Sequence, residues 1–203
     1  DEKLSWKAHI HQLCGRLRAV TATIMKLRSA LDVKTIVTVY KALFESQLRY
    51  CIASYLSTFS SLIDPIARIQ NSLVKRMVRH NEDDTIDSLY EKTGIRPLQL
   101  LYLEYLVIEC LVRNPEITTK FVNENSSTHS YDPRYASYPR PPITRLYRTD
   151  KQYLHRYMAL LRHYSEELKE IEELAATRKK KKKIAIKKFI TSRAQELMAN
   201  FAL

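Results

Sequence analysis

Few residues in this chain have the types and spacing that catalysis requires. The adjacent carboxylates Asp83 and Asp84 are the candidates for a two-metal site, in which converging carboxylates hold two ions about 4 Å apart. They follow Asn81 and Glu82 in a polar turn that lacks the apolar strand flanks of such a site, and acids there are typical of helix capping. The pair therefore does not predict a polymerase or nuclease centre.

Histidine, cysteine and glycine give no better candidates. His9, His11 and Cys14 could supply three metal ligands, but a structural zinc site needs four at paired spacings, and no second pair follows. The six histidines are scattered without a Gly-x-Ser-x-Gly turn, and only two glycines, Gly15 and Gly94, are present. Phosphate loops and dinucleotide turns are thereby excluded. We expect no catalytic residue, metal site, cofactor or small-molecule substrate in this chain.

The cysteines and the apolar runs bear on the cellular compartment. Cys14, Cys51 and Cys110 are odd in number and far apart in apolar helical surroundings, which predicts buried thiols rather than disulfides. No run approaches the roughly 20 apolar residues that span a bilayer, and the first residues do not resemble a signal peptide. We therefore expect a soluble, intracellular protein in a reducing compartment.

An amphipathic helical pattern covers the first part of the chain. Apolar residues from Ile10 to Leu31 keep a 3-4 spacing, which predicts a long helix, and Asp32 is placed to cap the next one. Asp64 followed by Pro65 predicts the N-cap and first residue of a third helix running to about residue 79. The second helix should carry an apolar stripe through Ile36, Tyr40, Leu43, Phe44, Leu48 and Cys51.

The remaining pattern predicts further helices and one interruption. Gly94 is placed to end a short helix, and the helix opened by Pro97 is apolar nearly all round, so it should be deeply buried. Polar residues and prolines indicate a linker before helical character returns near residue 150. The predicted fold class is all-α, with a helical bundle over 1–113, a Pro/Tyr-containing linker over 114–147 and C-terminal helices with a basic block over 148–203.

The net charge of +12 favours a polyanionic partner, either nucleic acid or an anionic membrane surface. At any single position a solvated lysine or arginine explains the sequence equally well, and tyrosines that could stack on bases could also be packing residues. The stacking candidates are Tyr131, Tyr135, Tyr138, Tyr147, Tyr153 and Tyr157. The candidate phosphate contacts are Lys7, Arg16, Arg18, Lys26, Arg28, Arg68, Lys75, Arg76 and Arg79, with the block Arg178, Lys179, Lys180, Lys181, Lys182 and Lys183.

Four short segments carry a family resemblance. They are Leu4-Ser5-Trp6-Lys7-Ala8-His9-Ile10, Tyr40-Lys41-Ala42-Leu43 with Leu48-Arg49-Tyr50, Ile69-Gln70-Asn71-Ser72-Leu73-Val74-Lys75-Arg76, and Gly94-Ile95-Arg96-Pro97-Leu98. In this order they resemble the region just after the palm in reverse transcriptases of non-LTR retrotransposons. The resemblance covers residues 1 to about 113. The chain departs from it at 50–55, where the family commonly has tyrosine-glycine followed by tryptophan-glycine.

The resemblance implies a non-catalytic part of a larger enzyme. The fingers and palm, with the catalytic Ala-Asp-Asp strand, would precede residue 1, and the full-length protein would be an RNA-directed DNA polymerase. This piece would be the thumb, a helical bundle that grips primer-template duplex, together with part of the C-terminal region. Its expected partners are RNA/DNA duplex or other nucleic acid and the missing fingers and palm.

Two other interpretations stay open. The chain could be a helical scaffold or interaction protein whose basic tail directs it to the nucleus or to an acidic partner. Attachment to a membrane surface is the less favoured one, since it depends on residues 178–190 alone. There the lysines would be complemented by Ile184, Ala185, Ile186, Phe189 and Ile190.

Overall fold

The computed structural model describes residues 6–56, 60–78, 84–113, 153–173 and 179–200. These ranges are helical and contain no strand, which confirms the all-α prediction. The chain divides into two compact units between Tyr102 and Leu103. The predicted linker lies outside the described residues, so the boundaries at 113 and 147 stay predictions. None of the described helices combines the length and the apolar character needed to cross a membrane.

In the described part of the first unit there are six helices and the start of a seventh. They are α1 Lys7–Leu27, α2 Val33–Tyr40, α3 Ser46–Arg49, α4 Ile52–Tyr55, α5 Ser60–Met77, α6 Ile86–Thr93 and α7 Leu98–Ile108, with a π-helical turn over Lys41–Glu45. Helix α1 packs against α5, α2 and the π turn, and α5 packs against α6. The core of this unit therefore lies between α1, α5 and the α2 segment.

Within its described residues, the second unit contains the rest of α7 and four later helices. A π-helical turn over Glu109–Arg113 follows α7, and the later helices are α8 Tyr153–His163, α9 Ser165–Glu173, α10 Lys179–Ser192 and α11 Ala194–Asn200. Helix α9 packs against α8 and α10, and α10 also contacts α11 and the π turn. Its described core includes Tyr157, Leu160, Leu168, Ile186 and Ile190.

The predicted first helix and the N-cap of the next one are confirmed, although α1 ends at Leu27 and does not continue to Leu31. Ile10, Leu13 and Leu17 are buried along α1 at the 3-4 spacing that the sequence displays. The carboxylate of Asp32 accepts hydrogen bonds from the backbone N–H groups of Lys34 at 3.1 Å and Thr35 at 3.4 Å. Asp32 is therefore the N-cap of α2, as predicted.

The apolar stripe of the second helix follows a different set of residues from the predicted one. The buried positions recur every four residues at Ile36, Tyr40, Phe44, Leu48 and Ile52, whereas Leu43 is 42% exposed and Cys51 is exposed. A spacing of four drifts around an α-helix of 3.6 residues per turn. The π turn over Lys41–Glu45 closes i to i+5 bonds, so it takes up the extra length and returns the stripe to the core.

The prediction of three buried thiols is wrong for one of them. Cys14 and Cys110 are buried, and burial raises the pKa of the Cys110 thiol to about 12. Cys51 is exposed because it forms the corner between α3 and α4, where its φ of 55° is left-handed. A side chain in that conformation is strained, and glycine is the residue that adopts it freely.

The predicted start of the third helix is also wrong. Helix α5 begins at Ser60, so Pro65 lies inside it and Asp64 is an exposed helical residue rather than the N-cap. A proline within a helix removes the bond to the carbonyl four residues earlier. The added turn places Ile63 in the core, where it is 2% exposed, and this burial offsets the lost bond.

A buried glutamine joins three separate segments of the first unit. Gln70 on α5 is 1% exposed, and its amide nitrogen donates to the hydroxyl of Tyr40 and to the carbonyl of Arg96, both at 2.8 Å. Its amide oxygen accepts from the backbone N–H of Leu98 at 2.8 Å, at the start of α7. Beside it, Tyr90 donates to the amide oxygen of Asn71 at 2.6 Å. These bonds connect α2, α5, α6 and the segment leading into α7.

The turn before α7 begins with the predicted glycine at the end of α6. Gly94 ends α6 with a left-handed φ of 62°, and its N–H bonds to the carbonyl of Glu91. Helix α7 then buries apolar residues around its whole circumference, as its sequence predicts, and Glu104 is buried among its positions. Pro97 precedes the helix, and its carbonyl accepts from Leu101 at 3.1 Å.

Replacing Gln70 by leucine should destabilise the first unit by roughly 3 kcal/mol or more, because buried groups on Tyr40, Arg96 and Leu98 lose their partner. Urea unfolding followed by the fluorescence of Trp6, the single tryptophan, measures this unit. Tyr90→Phe removes one part-buried bond and should cost about 1 kcal/mol. A Gln70→Leu variant as stable as the parent would contradict the structural role of this amide.

Replacing Cys51 by glycine should stabilise the first unit by about 1 kcal/mol, because the strain of a left-handed non-glycine residue is removed. The Cys51→Ala variant keeps the Cβ atom and therefore the strain, so it should show no such gain. Both variants are compared with the parent by urea unfolding. Equal stability of the glycine and alanine variants would show that the corner stores no strain.

Candidate nucleic-acid interface

Helix α1 presents basic side chains on two sides of its exposed surface. Lys7, Arg16, Arg18 and Lys26 are all exposed. With 3.6 residues per turn, Lys7, Arg18 and Lys26 fall within an arc of about 100°, whereas Arg16 lies about 160° from Arg18. Lys7 and Arg18 thus share one side of α1 and Arg16 lies on the other, while Lys26 lies between them, about 80° from each arginine.

The electrostatics of α1 agree with this arrangement. Burial lowers the pKa of His9, and the positive charge of Arg16 lowers it further. Burial raises the pKa of the Cys14 thiol, and the charge of Arg18 opposes that increase. The two arginines therefore act on different neighbours, which places them on different flanks of the helix.

Helix α5 has a buried apolar face and an exposed basic face. Ile66, Leu73 and Met77 are buried, while Arg68, Lys75 and Arg76 are exposed. Arg68 and Lys75 lie about 20° apart around the axis and about 10 Å apart along it. Three of the candidate phosphate contacts therefore lie on the exposed side of this helix. Arg79 lies outside the described residues.

Arg28 does not join the exposed cations. It follows the last turn of α1, where its N–H bonds to the carbonyl of Ile24 at 3.0 Å, and its side chain is half-buried. Helix geometry places it on the core side of α1, near the direction of Ile10 and Leu17. Arg28 was chosen as a candidate phosphate contact from its charge alone, which does not indicate on which side of the helix a residue lies.

The lysine block is part of helix α10 in the second unit. Lys181 and Lys183 are exposed, and Lys182 is half-buried. The backbones of Lys179 and Lys180 are helical, their side chains fall outside the described set, and Arg178 lies outside the described residues. The block and the cations of α1 and α5 therefore belong to different units.

The apolar side of α10 packs inside its own unit. Ile186 and Ile190 are fully buried and Phe189 is 7% exposed, its ring lying edge-on to Tyr164 at a centroid distance of 5.4 Å. Of the apolar residues considered for membrane attachment, Ile184 alone is exposed, at 50%, and Ala185 is half-buried. Most of the apolar face that membrane attachment would require is therefore buried within this unit.

The tyrosines selected as stacking candidates do not form an interface among the described residues. Tyr157 is buried in the second unit and acts as a packing residue. Tyr131, Tyr135, Tyr138 and Tyr147 lie outside the described residues, and nothing is described of the side chain of Tyr153. Sequence reasoning passed over Tyr50, which is 67% exposed.

Tyr50 lines a small pocket that neither the charge pattern nor a sequence motif indicates. The pocket has a volume of about 240 Å³ and is lined by His9, Leu13, Arg16, Ser46, Gln47 and Tyr50. The centroid of the His9 ring lies 5.7 Å from that of the Trp6 ring and 5.7 Å from that of the Tyr55 ring. Nε2 of His9 and Oε1 of Gln47 are buried from solvent, and neither has a hydrogen-bond partner among the described residues.

The residues considered for metal chemistry are placed as follows. Within the described ranges, no three His, Cys, Asp or Glu side chains come together as a metal site would require. Asp84 forms an ion pair with Lys92 at 2.5 Å, and Asp83 lies outside the described residues. Asp84 therefore contributes a surface ion pair beside α6.

Comparisons with known proteins identify no relative. The chain matches no protein-family model, no curated protein and no solved structure.

The stability of the first unit should decrease as the pH falls below about 6.5, through His9. Because its pKa in the folded state lies below the value of 6.5 for a free histidine, the unfolded chain takes up the proton first. Stability from this group is thus complete above pH 6.5 and is lost towards the lower folded pKa. Urea unfolding of Trp6 fluorescence at pH 7.5 and 5.5 should show a smaller pH effect in His9→Gln.

The variant His11→Gln controls for removal of an imidazole from the exposed side of the same helix. It should retain the pH effect of the parent. If His9→Gln and the parent lose the same stability between the two pH values, His9 is not the group that senses the proton.

Proposed function

We propose that this chain is the duplex-gripping, non-catalytic thumb part of a non-LTR retrotransposon RNA-directed DNA polymerase. In this function it holds the RNA/DNA primer-template through its phosphates. The observation that carries the proposal is the pair of packed helices α1 and α5, each of which buries an apolar face and exposes cations. The catalytic carboxylates belong to another part of the full-length enzyme.

The physical basis of the grip is electrostatic. Phosphates of a duplex carry condensed counterions, and each lysine or arginine that neutralises a phosphate releases counterions and gains free energy. Lys7, Arg18 and Lys26 on α1 and the cations of α5 stand on helices fixed by a common core. Binding of this kind positions a duplex without reading its bases.

The hydrogen bonds of the motif residues support the resemblance on which the proposal depends. Tyr40, Gln70 and Leu98 come from three of the four family-like segments, and they meet in the buried network around the Gln70 amide. The segments thus contribute to one hydrogen-bond network in the core of the same unit. We take this as support for the resemblance in fold, and the charge of the exposed faces as support for the function.

The backbone at residue 51 also supports the resemblance. The family commonly has a glycine after a tyrosine in this stretch, and Cys51, which follows Tyr50, has a left-handed φ of 55°. This is the conformation that glycine adopts most readily. A glycine at this position, as in the family, would adopt the observed backbone conformation without strain.

Affinity for a blunt RNA/DNA hybrid should fall steeply with salt and depend little on sequence. The slope of log K against log salt concentration is about −0.9 for each phosphate contact in a DNA duplex. The double variant Arg68→Gln/Lys75→Gln should therefore flatten the slope by about 2 and weaken binding equally for different sequences. Fluorescence anisotropy of a labelled hybrid, titrated at several salt concentrations, measures both quantities.

Lys34→Gln/Lys41→Gln provides the matched control, because it removes two exposed positive charges from the same unit. Its slope should change much less than that of the α5 variant. Equal changes in both variants would indicate a general charge effect and no defined grip. If the parent has no affinity for the hybrid at low salt, the thumb proposal fails and the helical scaffold with a basic tail becomes the better interpretation.

A further inference from the structure

We infer that the outer side of α10, in the second unit, is a separate contact surface for the phosphodiester backbone of a nucleic acid. This lysine face consists of Lys181, Lys183, Lys187 and Lys188, which are all exposed, with Ile184 among them. The proposed grip by α1 and α5 belongs to the first unit, so the inference goes beyond it and does not depend on it. Lys187 and Lys188 lie outside the lysine block that the sequence indicates.

The helical period separates the exposed lysines of α10 from its apolar residues. At 100° per residue, the four residues of the lysine face fall within an arc of about 160°. Ile186, Phe189 and Ile190 lie on the remaining part of the circumference and are buried. Lys182 lies between the directions of Ile186 and Phe189, which explains why it is half-buried although its two neighbours are exposed. The lysine face is therefore defined by the folded helix and differs from the run of consecutive lysines.

The positive charges of the lysine face are not neutralised within the described part of the chain. None of its four ammonium groups forms an ion pair with a described carboxylate. Two carboxylates of the neighbouring helices, those of Glu167 and Glu196, pair instead with Arg193, which follows α10. Four positive charges spread over about 10 Å of one helix are thus available to an anionic partner.

The charge pattern of α10 is unfavourable for the helix itself. Its first turn contains lysines and no acidic residue, and its last turn contains no basic residue. A helix macrodipole is stabilised by anions at the N-terminus and by cations at the C-terminus, so the observed order is the reverse of the stabilising one. Lys183 and Lys187 are also four residues apart, a spacing at which like charges repel each other. A bound polyanion would offset both effects, which points to a ligand.

The side chains of the lysine face favour phosphodiesters over carboxylates or a lipid surface. Lysine binds phosphate as a point charge, whereas carboxylates are matched best by the forked guanidinium of arginine, and the lysine face contains no arginine. Of the described large apolar side chains of α10, Ile184 alone is exposed, at 50%. A protein interface or a bilayer would require a larger apolar area. A phosphate backbone requires none.

The first test measures binding of a blunt RNA/DNA hybrid to the full chain by fluorescence anisotropy at several salt concentrations. The variant Lys183→Gln/Lys187→Gln should flatten the slope of log K against log salt concentration by about 2, since each phosphate contact contributes about 0.9. At about 0.1 M salt its affinity should be roughly tenfold lower than that of the parent. The loss should persist in the background of Arg68→Gln/Lys75→Gln, because those cations belong to the first unit.

The matched control is Lys169→Gln/Lys182→Gln, which removes two positive charges from the same unit outside the lysine face. Its slope should change much less than that of Lys183→Gln/Lys187→Gln. Equal slopes for the two double variants would overturn the lysine face, whatever the result for the α5 variant. The same comparison with phosphatidylserine vesicles and with polyglutamate tests other polyanions. Tighter lysine-dependent binding to either of these than to the hybrid would also overturn the inference.

Backbone hydrogen exchange of α10, followed by mass spectrometry, separates binding from folding. Without nucleic acid, Lys183→Gln/Lys187→Gln should exchange about twofold more slowly than the parent, because the repulsion between the two lysines is removed. The hybrid should slow exchange of α10 in the parent more than in this variant. Faster exchange in the free variant would show that these lysines stabilise the fold, and the inference would then be wrong.

The outcomes distinguish the lysine face from the proposed function. If the α10 variant loses affinity while the α5 variant binds like the parent, the lysine face is upheld and the duplex grip by α1 and α5 is contradicted. The opposite result upholds the grip and overturns the lysine face. If the parent does not bind the hybrid at low salt, both proposals are wrong.

Discussion

The buried amide of Gln70 is the constraint on which the first unit depends. An amide has two donor hydrogens and an acceptor oxygen, and inside an apolar core each must find a partner. Tyr40, Arg96 and Leu98 provide these partners from segments 26 to 30 residues away in sequence. Apolar packing alone would allow α2 and α7 to slide along α5, whereas these directional bonds fix their positions. The exposed face of α5 is thereby fixed relative to the rest of the unit.

Local signals in the sequence predicted the helices and several of their ends. Asp32 and Gly94 act through bonds and backbone angles that depend on a few neighbouring residues, so their roles could be recognised. Pro65 and Cys51 could not be placed correctly, because their conformations are imposed by tertiary packing. The burial of Ile63 extends α5 past its proline, and the corner before α4 forces Cys51 into a left-handed conformation. Intrinsic propensities gave the wrong conformation at these two positions because tertiary packing outweighed them.

The candidate site was only partly accessible to sequence reasoning. Charge identified Arg68, Lys75 and Arg76, because the helical period separates them from their apolar neighbours. Charge alone did not indicate that Arg28 lies on the core side of α1, or that Arg16 and Arg18 lie on different flanks of that helix. The pocket was missed because His9 and Gln47 lie 38 positions apart and share no motif. Their proximity follows from the packing of α1 against the segment after α2.

Because of the π turn over Lys41–Glu45, the directions of the side chains that follow it depend on the number of residues in the turn. A π turn contains one residue more than the α-helical path would, in the manner of a single-residue insertion. Gln47 and Tyr50 lie downstream of it, so their directions around the helix axis depend on that extra residue. Deleting any one residue of the turn would restore a regular helix and rotate both side chains by about 100°. Their chemistry would be unchanged, yet they would no longer face His9. Among related chains, a gap at this position would therefore report on the pocket more directly than a substitution within it.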